Sequence, residues 1–447
     1  MNKVGEKSFS FLKSNFFLDS KGKNIKELVK QVEITTSSLI LHQGTGPVYP
    51  ASKVPKEDIF SMKNPRNELS SIYRFLGGAV KSNHPLMLKN IIPLPNFVSL
   101  SSNLTASLLM ANAVTEEDAG GIVLDSAIEV AKNVDLLVKV KEPVEEEYHL
   151  LSVLKNKILF TYLHLAAAPK SLTLNLIENK ITSIAYETVE DENGKLPLLT
   201  PMSEIAGVLA VQYGAQFLQK KYGGLGVTLG KITNTPSANV LVVGAGIVGS
   251  KAALTAAGMG CNVTILEKNL ARLEQLKKEF KLYLGENLFK NVSFVESTPK
   301  NLAEEIKNTD LLIGAVLIKG AKAPQVVTRE HVYSMKRGVL IVDVAIDQGG
   351  CVWGSMPTTH DKPIFEIDGK IYCCVANMPG QVALQSTRAL SAATMPYIIK
   401  MAELGVLGLI KKDAGFAKGL NVYDGKIVYA SVAEALGLEY KESILVK

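Results

Sequence analysis

The most constraining feature of this 447-residue chain lies at residues 240–249, where an apolar run leads directly into three spaced glycines. The segment reads Val-Leu-Val-Val-Gly-Ala-Gly-Ile-Val-Gly, and Gly-x-Gly-x-x-Gly after a strand is typical of a dinucleotide-binding turn. Gly244 permits the tight turn, Gly246 lets the backbone approach a pyrophosphate, and Gly249 lets the next helix pack closely on the strand. The sequence therefore predicts a Rossmann-type strand, turn and helix, with phosphates at the helix N-terminus.

An acidic residue at the end of the next strand indicates which dinucleotide is bound. The strand is predicted from Asn262 to Leu266, and Glu267 follows it about 20 residues after the glycines, where an acid binds the ribose 2′-hydroxyl. Its carboxylate would repel a 2′-phosphate, so we expect NAD rather than NADP. The alternative, a membrane span over residues 240–266, is disfavoured by Lys251 and five glycines.

The composition excludes several classes of function. With 47% apolar and 21% charged residues, the chain is typical of a protein with more than one domain. The net charge of +6 is small and the basic residues are scattered, which argues against nucleic-acid binding. The first 50 residues contain no arginine and no apolar stretch before a cleavage site, which favours a cytoplasmic protein. The cysteine spacing fits no disulfide framework or metal pair, so we expect a reducing compartment and no metal; the cysteines are Cys261, Cys351, Cys373 and Cys374.

Alternating helix and strand patterns from about Thr200 predict an α/β fold. We expect residues 201–377 to form a Rossmann-type, doubly wound parallel sheet that binds NAD. After Glu267 the pattern predicts a helix over Leu270–Phe280 and a shorter one over Asn301–Lys307. Further strands are predicted near Val292–Val295, Asp310–Val316 and Val339–Val342.

A second α/β region surrounds this dinucleotide domain. Strands are predicted before it, near Asp135–Val140 and Ile158–Leu163, and a largely helical tail, broken at Pro396, follows it. We expect the tail to return to the first region. The prediction is a discontinuous substrate domain, residues 1–200 plus 378–447, into which the Rossmann domain is inserted.

Several sequence runs together carry a family resemblance. They are residues 137–143 (LVKVKEP), 159–165 (LFTYLHL), 183–188 (SIAYET), 201–204 (PMSE), 313–317 (IGAVL), 343–350 (DVAIDQGG) and 375–379 (VANMP). In this order they closely resemble alanine dehydrogenases, NAD-dependent enzymes that interconvert L-alanine with pyruvate and ammonium, over roughly residues 118–447. The proton-translocating nicotinamide nucleotide transhydrogenases are related, but usually lack the Ile-Asp-Gln-Gly-Gly run and the histidine of Leu-His-Leu.

The resemblance implies a catalytic pair and a substrate-binding lysine. His164 suits proton transfer near neutral pH, although a lone histidine on an apolar strand is more often a core residue; the resemblance reverses that preference. Asp347 follows a buried strand and is the second active-site residue by resemblance, while Asp343 has a structural role. Lys139 and Lys141 share a face if the strand continues, so one could be edge protection. By resemblance Lys141 binds the substrate carboxylate or polarises the pyruvate carbonyl.

A larger set of residues corresponds to the family's NAD contacts. Arg272 also fits by itself, because near the start of a helix after Glu267 it could lie over the adenine or the adenosine ribose. A methionine before a proline usually only fills a gap in the core, but by resemblance Met378 closes the nicotinamide pocket. With the fingerprint glycines and Glu267, the set is Ser203, Ile247, Val248, Arg272, Ser297, Val316, Leu317, Val344, Ala345, Ile346, Asp347, Val375, Ala376, Asn377 and Met378.

The chain departs from the family pattern near its N-terminus. Val54–Glu57 reads Val-Pro-Lys-Glu as in the family, but it follows an unmatched extension, residues 1–50. The run Arg-Val-Ala-Leu-Thr-Pro, whose arginine binds the substrate carboxylate, is absent. Arg66 is the nearest positional candidate and Arg74 the second, and a solvated surface position is the favoured interpretation of both. A shifted reading frame, a displaced start or divergence would each account for residues 66–112.

We therefore predict an NAD-dependent L-alanine dehydrogenase that produces pyruvate and ammonium reversibly. The alternatives are a non-catalytic NAD-binding regulator that has lost the carboxylate-binding arginine and, less favoured, a transhydrogenase-like hydride exchanger. By resemblance we expect a homohexamer, with no nucleic-acid partner and no membrane association.

Overall fold

The computed structural model describes residues 86–88, 98–100, 121–124 and 126–443. These residues form two compact units. One, called here the insert unit, comprises residues 199–381, and the other, the flanking unit, comprises the described residues before 199 and after 381.

The described residues of the flanking unit before residue 199 form three short strands, after which helices and strands alternate. Ser126 caps the first helix among the described residues, because its side chain accepts a hydrogen bond of 3.3 Å from the backbone N–H of Glu129. The elements are β1 Leu86–Leu88, β2 Val98–Leu100, β3 Gly121–Val123, α1 Ala127–Asn133, β4 Leu136–Val138, α2 Tyr148–Val153, β5 Ile158–Thr161, α3 Lys170–Glu178 and β6 Thr182–Ala185.

The insert unit begins with a long helix that has Pro201 in its first turn, where the missing N–H costs no hydrogen bond. Strands and helices then alternate as the sequence predicts. The elements are α4 Thr200–Phe217, β7 Asn239–Val243, α5 Ile247–Gly258, β8 Asn262–Glu267, α6 Leu270–Phe289, β9 Val292–Glu296, α7 Pro299–Glu305, β10 Leu311–Gly314, α8 Arg329–Tyr333, β11 Leu340–Asp343, β12 Ile364–Ile367 and β13 Lys370–Cys373.

The strands of the insert unit form one sheet in the order β12-β13-β11-β10-β7-β8-β9. Every neighbouring pair is parallel except β12 with β13, an antiparallel hairpin at one edge. The order reverses between β7 and β10, and a doubly wound sheet binds its ligand at such a switch point, outside the carboxyl ends of the strands. The predicted Rossmann-type fold is therefore confirmed.

The last part of the chain, after residue 381, returns to the flanking unit. Its strand β14 pairs antiparallel with β6, which gives a sheet in the order β15-β14-β6-β5-β4-β2-β1-β3. Leu159, Leu163 and Val422 lie together in the core of this unit. The elements are α9 Ala383–Leu404, α10 Val406–Lys412, α11 Ala414–Ala417, β14 Leu420–Tyr423, β15 Lys426–Ile427 and α12 Ala430–Leu436.

Two helix predictions are wrong in detail. Helix α9 continues through Pro396 and ends before Gly405, which has φ +68°. Its buried face spans both sides of the proline, so packing outweighs the hydrogen bond that proline removes. Helix α6 extends past Phe280 to Phe289, across a non-helical residue at Gly285.

Among the described residues, no single helix has both the length and the hydropathy to cross a membrane. One pair of helices, residues 378–404 and 406–412, is long and apolar enough only when the two are taken together, and the chain bends by 108° between them.

Candidate active site

The turn between β7 and α5 has the geometry of a phosphate cradle. Gly244 has φ +99°, a conformation that favours glycine, and its N–H donates to the carbonyl of Leu266 at 2.8 Å. A Cβ on Gly249 would lie 1.8 Å from the carbonyl oxygen of Gly244, so only glycine allows this approach of helix to strand. A Cβ on exposed Gly246 would meet nothing within 4 Å. The open space at Gly246 leaves room for the close approach of a pyrophosphate that this motif predicts.

Glu267 and Arg272 hold this turn in place. The Glu267 carboxylate accepts hydrogen bonds from the N–H groups of Ala245 (2.8 Å) and Asn269 (2.9 Å). The guanidinium of Arg272 donates to the carbonyl of Ala245 at 3.2 Å and to the hydroxyl of Ser250 at 3.1 Å. Glu267 therefore lies beside the glycine turn with its acid partly exposed, which is consistent with a ribose-binding carboxylate.

The predicted cofactor residues of the insert unit share one edge of its sheet, because each lies at or after the carboxyl end of a parallel strand. Ser203 is the exception, since it is buried in α4. The positions are Gly244, Gly246, Ile247, Val248 and Gly249 after β7; Glu267 and Arg272 from β8 onward; Ser297 after β9; Val316 and Leu317 after β10; Val344, Ala345, Ile346 and Asp347 after β11; and Val375, Ala376, Asn377 and Met378 after β13.

Asp347 lies on a short 3-10 turn, Val344–Gln348, whose geometry is fixed by Asp343. The Asp343 carboxylate is fully buried and accepts hydrogen bonds from the N–H groups of Ala345 (3.1 Å) and Val352 (2.9 Å), among others. Burial raises the pKa of Asp343, while these hydrogen bonds lower it in part. Its role is structural, as expected, whereas Asp347 is partly exposed.

A histidine that the sequence analysis did not single out supports the Asn377 turn. Asn377 has φ +55°, and its carbonyl accepts from the N–H of Gly380 at 2.9 Å. Nε2 of half-buried His360 lies 3.2 Å from the same carbonyl, which makes Nε2 the protonated nitrogen. Burial lowers the pKa of His360. Its Nδ1 is buried and has no hydrogen-bond partner in the part of the chain that the structure describes.

His164, in the flanking unit, lies three residues after β5 in a left-handed turn with φ +46°. Its ring is half-buried and stacks on Tyr162, with ring centroids 5.7 Å apart and planes 5° apart. The Nδ1 atom is buried without a hydrogen-bond partner among the described residues. This environment is compatible with a proton-transfer role for His164, which stays a prediction.

The two lysines after β4 have different environments. Lys139 is buried and donates to Glu147 at 2.6 Å, whereas Lys141 is half-buried with its Nζ 3.4 Å from Glu142. Edge protection is wrong for either lysine, because β4 lies inside the sheet between β5 and β2. Both lysines have an acidic neighbour, and the greater exposure of Lys141 is consistent with its predicted role in binding a substrate anion, which stays a prediction.

The remaining predictions concern other parts of the chain. Arg66 and Arg74, the candidates for the carboxylate-binding arginine, lie outside the described residues. Within residues 126–443 the four cysteines are free thiols and all are buried, and the described residues contain no cluster of three or more histidine, cysteine or acidic side chains fit for a metal.

A doubly wound sheet with a glycine turn after its first strand, inserted in a second α/β unit, is typical of two-domain dinucleotide-binding proteins. The family model "Alanine dehydrogenase/PNT, N-terminal domain" matches residues 115–206, and "Alanine dehydrogenase/PNT, C-terminal domain" matches residues 210–430. The chain belongs to this alanine dehydrogenase/PNT family.

Individual relatives agree with the family models. The chain is 47% identical over 329 residues to alanine dehydrogenase of Halomonas elongata, covering 73% of this chain and 85% of that protein. It is 45% identical over 335 residues to alanine dehydrogenase of Mycolicibacterium smegmatis, covering 74% and 87%. A solved L-alanine dehydrogenase superposes with a TM-score of 0.63 at 41% identity, covering 74% and 89%. A transhydrogenase from Sinorhizobium meliloti shares the fold, with a TM-score of 0.54 at 22% identity over 70% and 84%.

Proposed function

We propose that the chain is an NAD-dependent alanine dehydrogenase, which converts L-alanine to pyruvate and ammonium reversibly. The observation that carries this proposal is the identity of 44–47% to several proteins named alanine dehydrogenase, over 84–87% of their length. The open space at Gly246 and the partly exposed Glu267 beside it support a dinucleotide without a 2′-phosphate. When bound, NAD would accept a hydride from the α-carbon of alanine.

The chain's own residues would do the remaining work. We assign to Lys141 the binding of the substrate carboxylate and to His164 the transfer of protons at the substrate nitrogen and at the attacking water. Asp347 lies on the turn after β11, at the sheet edge that carries the dinucleotide residues, and is the second acid–base group in the proposal. The set of cofactor contacts predicted from the sequence is retained as part of the same proposal.

The test is formation of NADH from NAD and L-alanine by the purified protein. We expect turnover in the wild type and a loss of about 10²-fold or more in His164→Ala and in Asp347→Ala, because each removes an acid–base group. NAD binding should survive in His164→Ala. His149→Ala, at an exposed histidine of the flanking unit, is the matched control and should keep full activity. Tight NAD binding without alanine turnover in the wild type would instead indicate a non-catalytic NAD-binding protein.

The arginine partner of the substrate carboxylate has its own test. A bidentate arginine pair is stronger than a contact with a lysine alone, so loss of such a residue should raise KM for alanine steeply. We propose Arg66 for this role, with Arg74 as the comparison variant. Unchanged kinetics in Arg66→Ala would leave the carboxylate to Lys141 or to another residue.

We also propose a homohexamer located in the cytoplasm, on the resemblance to the family. Light scattering of the purified protein measures the first property, and cell fractionation measures the second. A monomer, or recovery outside the cytoplasmic fraction, would contradict the respective statement.

A further inference from the structure

The run Ser183–Thr188, singled out in the sequence, contains a buried acid to which the reaction above assigns no role. Glu187 lies in the short turn after β6 and is only 3% exposed. A carboxylate buried to this degree must be compensated by hydrogen bonds. Its oxygens accept from the N–H of His164 at 2.6 Å and from the N–H of Leu163 at 3.1 Å. The acid therefore binds the backbone of the segment that carries the catalytic histidine.

This contact lies at a point of backbone strain. His164 has φ +46°, and a residue other than glycine in such a conformation costs of order 1 kcal/mol or more unless its surroundings hold it there. The carbonyl of His164 accepts hydrogen bonds from the N–H groups of Ala167 (2.8 Å) and Ala168 (2.9 Å). Together with Glu187, these bonds fix both peptide groups of the strained residue.

Within the described residues, the ring of His164 is restrained less strongly than its backbone. Its Nδ1 has no hydrogen-bond partner in the described part of the chain, and its face rests on Tyr162. Tyr162 is in turn anchored, because its hydroxyl donates to the carbonyl of Leu198 at 2.6 Å. Burial raises the pKa of Tyr162, with smaller contributions from Tyr186 and Glu187, so the donor stays protonated. The direction of the imidazole is thus set by the stacked tyrosine and by the backbone that Glu187 holds.

We propose that Glu187 is a positioning residue for catalysis: it holds His164 in the left-handed turn that aims the imidazole at the substrate. The proposal rests on the proposed function of His164 as the proton-transfer group. Glu187 acts through the two backbone N–H groups and needs no contact with the substrate.

Two substitutions and a control test the proposal. Glu187→Leu removes both acceptor oxygens, whereas Glu187→Gln keeps one of them and replaces the other by an NH₂ group, which accepts no hydrogen bond. Thr188→Val is the matched control, because it also breaks a buried hydrogen bond, that of Asn421 to the Thr188 hydroxyl at 2.9 Å, without touching Leu163 or His164. Glu187→Leu should lower kcat by about 10- to 10²-fold with the Kd of NAD unchanged, the cost of a misplaced catalytic group. Glu187→Gln should fall between this variant and the wild type, and Thr188→Val should lose stability but keep kcat.

A double-mutant cycle with His164→Ala distinguishes positioning from a general structural role. If Glu187 acts through His164, adding Glu187→Gln to His164→Ala should cost less than about twofold in kcat, because the group that it positions is already gone. The same cost in both backgrounds would overturn the proposal. The conservative Gln variant keeps this comparison available even if Glu187→Leu does not fold.

The chemical reactivity of His164 can be measured without the cofactor and without enzyme activity. The rate of carbethoxylation of His164, followed by peptide mass spectrometry with His149 as the internal reference, should rise several-fold in Glu187→Gln because its ring loses its fixed placement. An unchanged rate would contradict positioning. If the wild type forms no NADH from alanine, the proposed function fails, yet the carbethoxylation result still decides whether Glu187 holds His164.

Discussion

The carboxylate of Asp343 accepts a hydrogen bond of 2.8 Å from the backbone N–H of Cys351, which joins the end of β11 to the segment beyond the Asp347 turn. The hydroxyl of Ser355 donates to the same carboxylate oxygen at 2.7 Å. One buried acid thus fixes both sides of the turn that presents Asp347. The turn is held by a polar cluster and not by apolar packing alone.

Asp343→Asn should therefore destabilise the protein. The amide keeps one acceptor oxygen but places an NH₂ group where an oxygen now receives several donors, so we expect a loss of about 3 kcal/mol in the free energy of unfolding. Ser355→Ala removes one donor and should cost about 1 kcal/mol. Urea denaturation measures both, and an Asp343→Asn protein as stable as the wild type would contradict the role of the carboxylate.

The two later glycines of the phosphate turn should respond differently to alanine. Gly246→Ala places its Cβ in open space, so the protein should fold normally but lose about tenfold or more in NAD affinity, because the methyl group occupies the approach of the pyrophosphate. Gly249→Ala creates an overlap with the Gly244 carbonyl and should lower the melting temperature as well. NADH fluorescence and thermal unfolding separate the two effects. Equal NAD affinity in Gly246→Ala and the wild type would contradict the proposal that the pyrophosphate binds at Gly246.

The doubly wound sheet could be predicted from the sequence because its signals are local. The apolar run before Gly244 and the acid at Glu267 each depend on a few neighbouring residues, and the parallel order follows from alternating strands and helices. The helix through Pro396 could not be predicted in this way, because the packing of its buried face decides whether a proline interrupts it.

The contacts that hold the candidate site residues in place were harder to predict from the sequence. Glu187 and His360 act on residues 23 and 17 positions away, through contacts that only the folded chain creates. The run Ser183–Thr188 did signal Glu187 as part of a pattern, but not its partner. For His360 no sequence signal distinguished it from other histidines. Pairings across the fold depend on strand order and turn geometry, which local periodicity does not encode.

Removal of the charge at position 267 should change cofactor selectivity. We expect the wild type to prefer NAD over NADP, since the Glu267 carboxylate repels a 2′-phosphate. Glu267→Gln keeps an acceptor for the turn and should raise the ratio of kcat/KM for NADP to that for NAD by about tenfold, equivalent to about 1.4 kcal/mol. Glu267→Ser combined with a nearby arginine should raise it further. A wild type that prefers NADP would show that this carboxylate does not select the cofactor.

His360 should make the stability of the insert unit depend on pH. Burial lowers its pKa from 6.5, so below that pH the unfolded chain takes up a proton that the folded chain resists, and the free energy of unfolding falls as the pH decreases. This contribution to stability is complete above the unfolded pKa and is lost on acidification.

His360→Gln should remove that loss, because its amide still donates to the carbonyl of Asn377 but takes up no proton. The variant and the wild type should have similar stability at about pH 7.5, and the variant should be relatively more stable at about pH 5.5. His331, whose pKa is also lowered by burial, is present in both proteins and cancels in the comparison. Denaturant titrations at the two pH values measure the difference, with His149→Gln as the exposed control. Parallel pH profiles for wild type and His360→Gln would show that the imidazole remains as easily protonated in the fold as in the unfolded chain.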